Sequence, residues 1–152
     1  MTAALVWQLA HFDGLTAHEW HDIVAARESV FIVEQTCPFL DADGADPDCH
    51  HLVGKVGEEI AAYARIVPPG LKFDEASIGR VLTTKNFRRG GYGQALMKEA
   101  IAQCGSLYPS HGIRIGAQQY LEKFYGSLGF VTVSEPYDED GIMHVIMLRE
   151  PV

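Results

Sequence analysis

Apolar residues along the chain switch between two periods, and the switches mark its elements. Leu5 to Ala10, LVWQLA, reads as a short strand. Thr16-Ala-His-Glu19 has the form of a capping box, with Leu15 and Trp20 at the two positions of a hydrophobic staple, which predicts a helix starting at residue 16 or 17. Its apolar residues Trp20, Ile23, Val24, Val30 and Phe31 recur near helical spacing. His50 to Val56 reads as a strand, Gly57-Glu58-Glu59 as a tight turn, and Ile60 to Val67 as the hairpin partner, ended by the breaker Pro68-Pro69-Gly70. Another strand covers Ser77 to Thr83. Gln94 to Cys104 is helical, with Leu96, Ala100 and Ile101 on one face. Ile113 to Ala117 is a short apolar strand, Tyr120 to Leu128 a helix stopped by Gly129, and Val131 to Val133 and His144 to Glu150 the last two strands. This alternation predicts an α/β fold with a mixed sheet of about seven strands.

Size and charge narrow the field. A chain of 152 residues, 47% of them hydrophobic, suits one domain spanning 1–152 with a single core. Twelve Lys and Arg against twenty Asp and Glu leave a net charge of -8, which repels nucleic acid and anionic bilayers alike; neither is expected as a partner. The opening segment MTAALVWQLAHFDG lacks a basic n-region, and no stretch approaches the roughly 20 apolar residues of a membrane span, so a cytoplasmic location is expected. Cys37, Cys49 and Cys104 are odd in number and irregular in spacing, as reduced thiols are.

The acidic stretch Leu40 to His51, LDADGADPDCHH, invites a metal reading. Counting from Asp41, a calcium loop would need an oxygen ligand at Ala45 and its glycine at Asp46, so that pattern fails. Cys37, Cys49, His50 and His51 include no short ligand pair, and adjacent histidines on a strand point to opposite faces. No metal is expected; a turn-rich acidic loop, with Asp46 and Asp48 solvated, is the plainer reading.

The most informative junction is strand, then Arg88-Arg89-Gly90-Gly91-Tyr92-Gly93, then helix. Glycines let the backbone approach a ligand, and the first helical N–H groups with roughly half a positive charge make an anion site. The turn fits neither G-x-x-x-x-G-K-[ST] nor G-x-G-x-x-G, which disfavours nucleotide folds. From Ala76 to Lys98 there are five bases (Arg80, Lys85, Arg88, Arg89, Lys98) and no acid. A plain glycine-rich connection with solvated arginines is the alternative.

The pattern R-x-x-G-x-G at Arg88, Gly91 and Gly93, followed by Q-x6-Y-x3-GF at Gln118, Tyr125 and Gly129-Phe130, resembles the acetyl-CoA-binding core of the GNAT acyltransferase superfamily. R-x2-VFIVEQ-x-CPF-x-D-x-DG, AYARIV, IGRV, GAQ-x-YL-x2-FY-x-SLGF and EPYDEDGI-x-H, running from Arg27 to His144, are similar to its ElaA-type branch. The resemblance implies a GNAT-like mixed, mostly antiparallel central sheet with helices on both faces. It also implies that backbone N–H groups of Arg88, Arg89, Gly90, Gly91, Tyr92 and Gly93 hold the cofactor pyrophosphate, and that Val81, Leu82 and Thr83 pair with the pantetheine arm and supply an oxyanion donor. Tyr125 is implied as proton donor to the departing thiolate, and Gln118 stands where relatives often have Asn facing the cofactor. Two departures stand out: Thr83 replaces an aliphatic residue, and no carboxylate lies between Ser77 and Thr84, where some relatives keep a general base.

The chemistry needs more than a cofactor site. An alkyl ammonium has a reference pKa near 10.4, so on the order of one molecule in a thousand is neutral at pH 7, and something must take its proton. Six acids and no Lys or Arg lie between Glu28 and Asp48, and Glu135, Asp138, Glu139 and Asp140 form a second acidic turn. These segments are expected to attract a cationic amine. Glu34, abutting the apolar run VFIV, is the expected pocket acid; His50 or His51 is the alternative proton relay. Asp41, Asp43, His51 and Arg80 complete the expected acceptor-binding set. The sequence thus points to an N-acetyltransferase that moves acetyl from the cosubstrate acetyl-CoA to a small-molecule, polyamine or peptide amine by direct attack in a ternary complex, with a homodimer left open. The competing reading is a CoA-binding or interaction module without turnover.

Overall fold

The computed structural model describes residues 4–37 and 40–151; Pro38 and Phe39 of the CPF motif lie outside them. Four strands, β1 (Leu5–His11), β2 (His50–Val56), β3 (Glu59–Val67) and β4 (Ser77–Thr83), form an antiparallel sheet in that order. A second sheet holds β5 (Ile113–Gln118), β6 (Val131–Thr132), β7 (Tyr137–Glu139) and β8 (Ile142–Arg149), with β8 pairing antiparallel to the other three. A single parallel bridge, Ala76 to Ile113, with Arg114 N–H donating to Ala76 O at 2.9 Å, links the two halves.

Three helices cover the sheets: α1 (Ala17–Arg27), α2 (Tyr92–Leu107) and the short α3 (Glu122–Gly126). The capping box at the start of α1 is made in both directions, Glu19 N–H to Thr16 Oγ1 at 3.0 Å and Thr16 N–H to Glu19 Oε1 at 2.8 Å. Leu52, Ala62, Ala64 and Ile66 face α2 through Leu96, Met97, Ala100 and Cys104, whereas Val53, Tyr63 and Leu82 face α1 through Ile23 and Ala26. Alternate residues of the same strands thus serve two cores. Every residue from Ala61 to Val67 is buried because β3 is central and covered on both faces.

Three predicted elements differ. The helix expected to run on through Phe31 ends at Arg27, and Glu28–Glu34 is a π turn, with Gln35 N–H to Val30 O and Cys37 N–H to Ile32 O both at 3.2 Å. The helix expected from Tyr120 is a 3-10 turn, Gln119–Leu121, followed by α3. The second acidic turn is a hairpin whose central residues, Asp140 (φ 54°) and Gly141 (φ 83°), both have positive φ, which adds β7 as an eighth strand.

Candidate active site

Among the described residues, beyond the Ala76–Ile113 bridge, β4 pairs only with β3 and β5 only with β8. The two strands flank a cleft of about 760 Å³, closed above by Val30, Phe31 and Glu34 of the π turn and at its sides by Tyr125 of α3 and the β7–β8 hairpin. The edge of β4 turned away from β3 therefore carries backbone groups with no strand partner, a template for an extended ligand. The register of β3 on β4 changes between Tyr63↔Leu82 and Arg65↔Gly79, so one extra β4 residue bulges opposite Ala64. Arg80 takes φ 50° there, a conformation that costs a non-glycine residue roughly 1–3 kcal/mol and must be held by its surroundings. Its guanidinium donates to Asp41 O at 2.9 Å and stands 3.0 Å from Asp41 Oδ1.

At one end of the cleft, Gly91 (φ 77°) caps α2 in the left-handed region with no side-chain bond to the helix. The first intrahelical bond is Ala95 N–H to Gly91 O, which leaves the N–H groups of Tyr92, Gly93 and Gln94 without helical acceptors. A Cβ on Gly90 would meet the Tyr92 ring at 2.5 Å, and one on Gly93 would come within 3.9 Å of Thr83. Arg88 and Gly93 line the cleft, as do Val81, Leu82, Thr83 and Gln118; Arg89, Gly90, Gly91 and Tyr92 form the turn behind them. Arg88 is engaged by Glu34 Oε2 at 2.6 Å and by Thr83 O at 3.2 Å.

Tyr125 also lines the cleft and is 6% exposed, and its hydroxyl forms no hydrogen bond among the described residues. Burial, with Tyr120 nearby, pushes this phenol up to about 12, so it stays protonated and able to donate. Lys72 and His144 line the cleft as well, and sequence reading assigned neither a role.

The acidic stretch is put to a different use from the one expected. Asp46, predicted to be solvated, is 3% exposed, and its Oδ1 accepts from Arg27 at 2.8 Å and Arg65 at 2.9 Å, two arginines that are themselves buried. Asp41 takes Arg27 Nε at 2.8 Å, and Asp43 takes Arg65 at 2.7 Å. Burial opposes ionisation of Asp46 and Asp43, but the bonds and charge of these arginines overcome it and hold both carboxyls below the usual range. Asp41 and Arg80 line the cleft, but each is committed to the other; Asp43 does not reach it. His51 must be withdrawn from the acceptor set. It is fully buried, its Nε2 donates to Asp46 O at 3.0 Å and its Nδ1 takes the Tyr63 hydroxyl at 2.7 Å, so burial keeps it neutral and out of the cleft. His50 likewise lies outside the cleft, edge-on to His11. No three His, Cys, Asp or Glu side chains converge as metal ligands, and no helix is long and apolar enough to cross a membrane, among the described residues.

Comparison with known proteins shows the family and the fold. The family model described as "Acetyltransferase (GNAT) domain" matches residues 29–150. Protein ElaA of Escherichia coli is 38% identical over 148 residues, covering 96% of this chain and 97% of that one, and its crystal structure superposes with a TM-score of 0.91 over 97% of this chain and 100% of that chain. An acyl-CoA N-acyltransferase from Pseudomonas aeruginosa superposes with a TM-score of 0.92 at 36% identity, covering 96% and 99% of the two chains.

Proposed function

The chain belongs to the GNAT acetyltransferase family, and from that premise we propose that it moves the acetyl group of acetyl-CoA to an amine by direct attack in a ternary complex. One observation carries the reading: the cleft between β4 and β5 runs from a helix N-terminus with three N–H groups that have no helical acceptor to a protonated phenol with no hydrogen bond among the described residues. The residues fit the cosubstrate. The backbone N–H groups of Tyr92, Gly93 and Gln94, with Arg88 and Arg89 beside them, suit a pyrophosphate. The free edge of Val81, Leu82 and Thr83 suits an amide-bearing pantetheine arm, and a backbone N–H of this strand suits the oxyanion of the tetrahedral intermediate. Tyr125 is the proton donor to the thiolate that leaves.

A primary or secondary amine enters past the β7–β8 hairpin, whose carboxylates suit a cation, and past Glu34, which also binds Arg88. Cys49 and Cys104 are buried with their thiols pushed up to about 11, which favours direct attack over an acyl-enzyme on either. Incubation with acetyl-CoA and a panel of small amines, polyamines and peptides, read as free thiol, is expected to show amine-dependent release. A protein whose melting point rises with acetyl-CoA but that releases no thiol with any amine would instead be a binding module without turnover.

A further inference from the structure

His144 is the imidazole that lines the cleft, and the reading of the site given above has no use for it. It stands on β8 opposite Gln118, is 7% exposed, and is held from two sides. Nδ1 lies 2.8 Å from Ile142 O, an atom that can only accept, so Nδ1 carries a hydrogen. Nε2 lies 3.2 Å from Glu139 Oε2. In the neutral ring this sets a lone pair beside a carboxylate, and the contact becomes attractive once Nε2 gains a proton. Two of the other carboxylates that line the cleft are worse placed to receive one. Glu34 is held by Arg88, and Asp41 by Arg27 and Arg80.

We propose that His144 is the general base of the transfer, with Nε2 taking a proton from the acceptor's ammonium and Glu139 balancing the imidazolium that forms. The proposal rests on the N-acyl transfer reading and supplies its missing base. The ammonium gives one proton to Nε2. The nitrogen lone pair then forms the C–N bond to the acetyl carbonyl carbon, and the C–S bond breaks with its electron pair on sulfur. Sulfur takes the Tyr125 phenolic proton, which solvent restores. The nitrogen's second proton and, after product release, the His144 proton pass to solvent. The sum is ammonium plus acetyl-CoA giving amide, free CoA thiol and one proton. Glu139 and Tyr137 from β7 stand against the ring, and Glu34, Asp41, Lys72, Tyr125 and Asp140 are among the titratable groups that line the same cleft.

The test compares two acceptors: a primary alkyl amine, charged at pH 7, and an aromatic amine, already neutral there. His144→Gln is expected to lower kcat/KM for the alkyl amine about 10²-fold and to remove the acid limb of its pH profile, while lowering the aromatic amine's rate less than about fivefold. Glu139→Gln changes a side chain 54% exposed, so it is expected to leave the fold intact and to cost the alkyl amine roughly tenfold. The melting shift with acetyl-CoA reports an intact site in each variant. Equal losses with both acceptors, or no loss in a folded His144→Gln, would overturn the proposal; if that variant does not fold, wild-type rates in Glu139→Gln do so. An active wild type with unaffected variants removes the base alone, whereas a wild type that binds acetyl-CoA without ever releasing thiol removes the acyl-transfer reading and the base with it.

Discussion

Asp46→Asn isolates the charge at the centre of the buried network while keeping the shape of the side chain. Its Oδ1 bridges Arg27 and Arg65 at 2.8 and 2.9 Å, and none of the three side chains is more than 4% exposed. Each charge-assisted bond contributes about 1.5–3 kcal/mol, and breaking a buried pair from one side costs about 3–5 kcal/mol because the partner's charge is left uncompensated. Arg27 keeps Asp41 and Arg65 keeps Asp43, and the amide oxygen still accepts, so the lower end applies. The expected loss is about 3 kcal/mol, or roughly 6–12 °C in melting temperature for a chain of this size. Thermal unfolding followed by circular dichroism measures it, with the exposed Asp48→Asn expected to stay within about 0.5 kcal/mol of wild type. Acid supplies a second check. Because the folded Asp46 carboxyl is held below its unfolded value of about 3.9, its contribution is complete above that pH and is lost as pH falls through the folded value. The gap between wild type and Asp46→Asn should therefore narrow below about pH 4. Equal stability at pH 7, or a gap unchanged down to about pH 3, would refute the assignment.

Three further outcomes test the cleft. Gly91→Val forces a β-branched residue to φ 77° at the head of α2; the variant is expected to fold with a loss of about 1–3 kcal/mol and to lose its melting shift with acetyl-CoA, and an unchanged shift would remove the turn from the cofactor site. Tyr125→Phe keeps the ring among Phe124 and Phe130 and removes only the proton, so kcat should fall about 10²-fold with the acetyl-CoA dissociation constant within about twofold, as measured by thiol release and calorimetry. Glu34→Gln should raise KM for a cationic amine roughly tenfold without weakening acetyl-CoA, whereas Asp43→Asn, which does not reach the cleft, should leave KM within about twofold.

What could be read from the sequence was local. The Thr16–Glu19 box, the Gly57 turn between β2 and β3 and the glycines ahead of α2 each concern a few adjacent residues whose backbone requirements are written in their side chains. The π turn has no such mark: Val30 and Phe31 keep a helical spacing to Trp20 and Ile23, and only the i→i+5 bonds after Arg27 rotate Val30, Phe31 and Glu34 over the cleft. The role of the acidic loop is hidden in the sequence for a related reason. Asp41 and Asp46 meet Arg27, and Asp43 meets Arg65, across 14 to 22 positions, and ion pairs at such distances leave no periodic trace. His144 was present in the EPYDEDGI-x-H pattern, but its chemistry depends on Glu139, which the Asp140-Gly141 turn folds back beside it. That Asp-Gly pair is a hairpin signal in its own right, one that marks paired strands as well as an acidic turn.

The network also explains how an acidic protein can present a usable cleft. Arg27, Arg65 and Arg80 meet Asp41, Asp43 and Asp46, three charges against three, so the stretch that looks most acidic in sequence adds little net field to the acceptor end. What it adds is position. Asp41 binds Arg27 on one side and Arg80 on the other, and Arg80 is the bulged residue of β4 whose positive φ needs outside support. Through that contact the loop holds the strand edge that faces the cleft, and a donor fixed in place before reaction stabilises developing charge without reorganising during it. In the proposed transfer, the acids left to meet an amine are Glu139 and Asp140 of the β7–β8 hairpin, with Glu34 of the π turn, which Arg88 also binds; all three line the cleft. The sequence therefore uses carboxylates for two tasks: aspartates between 41 and 46 build the frame, and Glu34, Glu139 and Asp140 face the space it encloses.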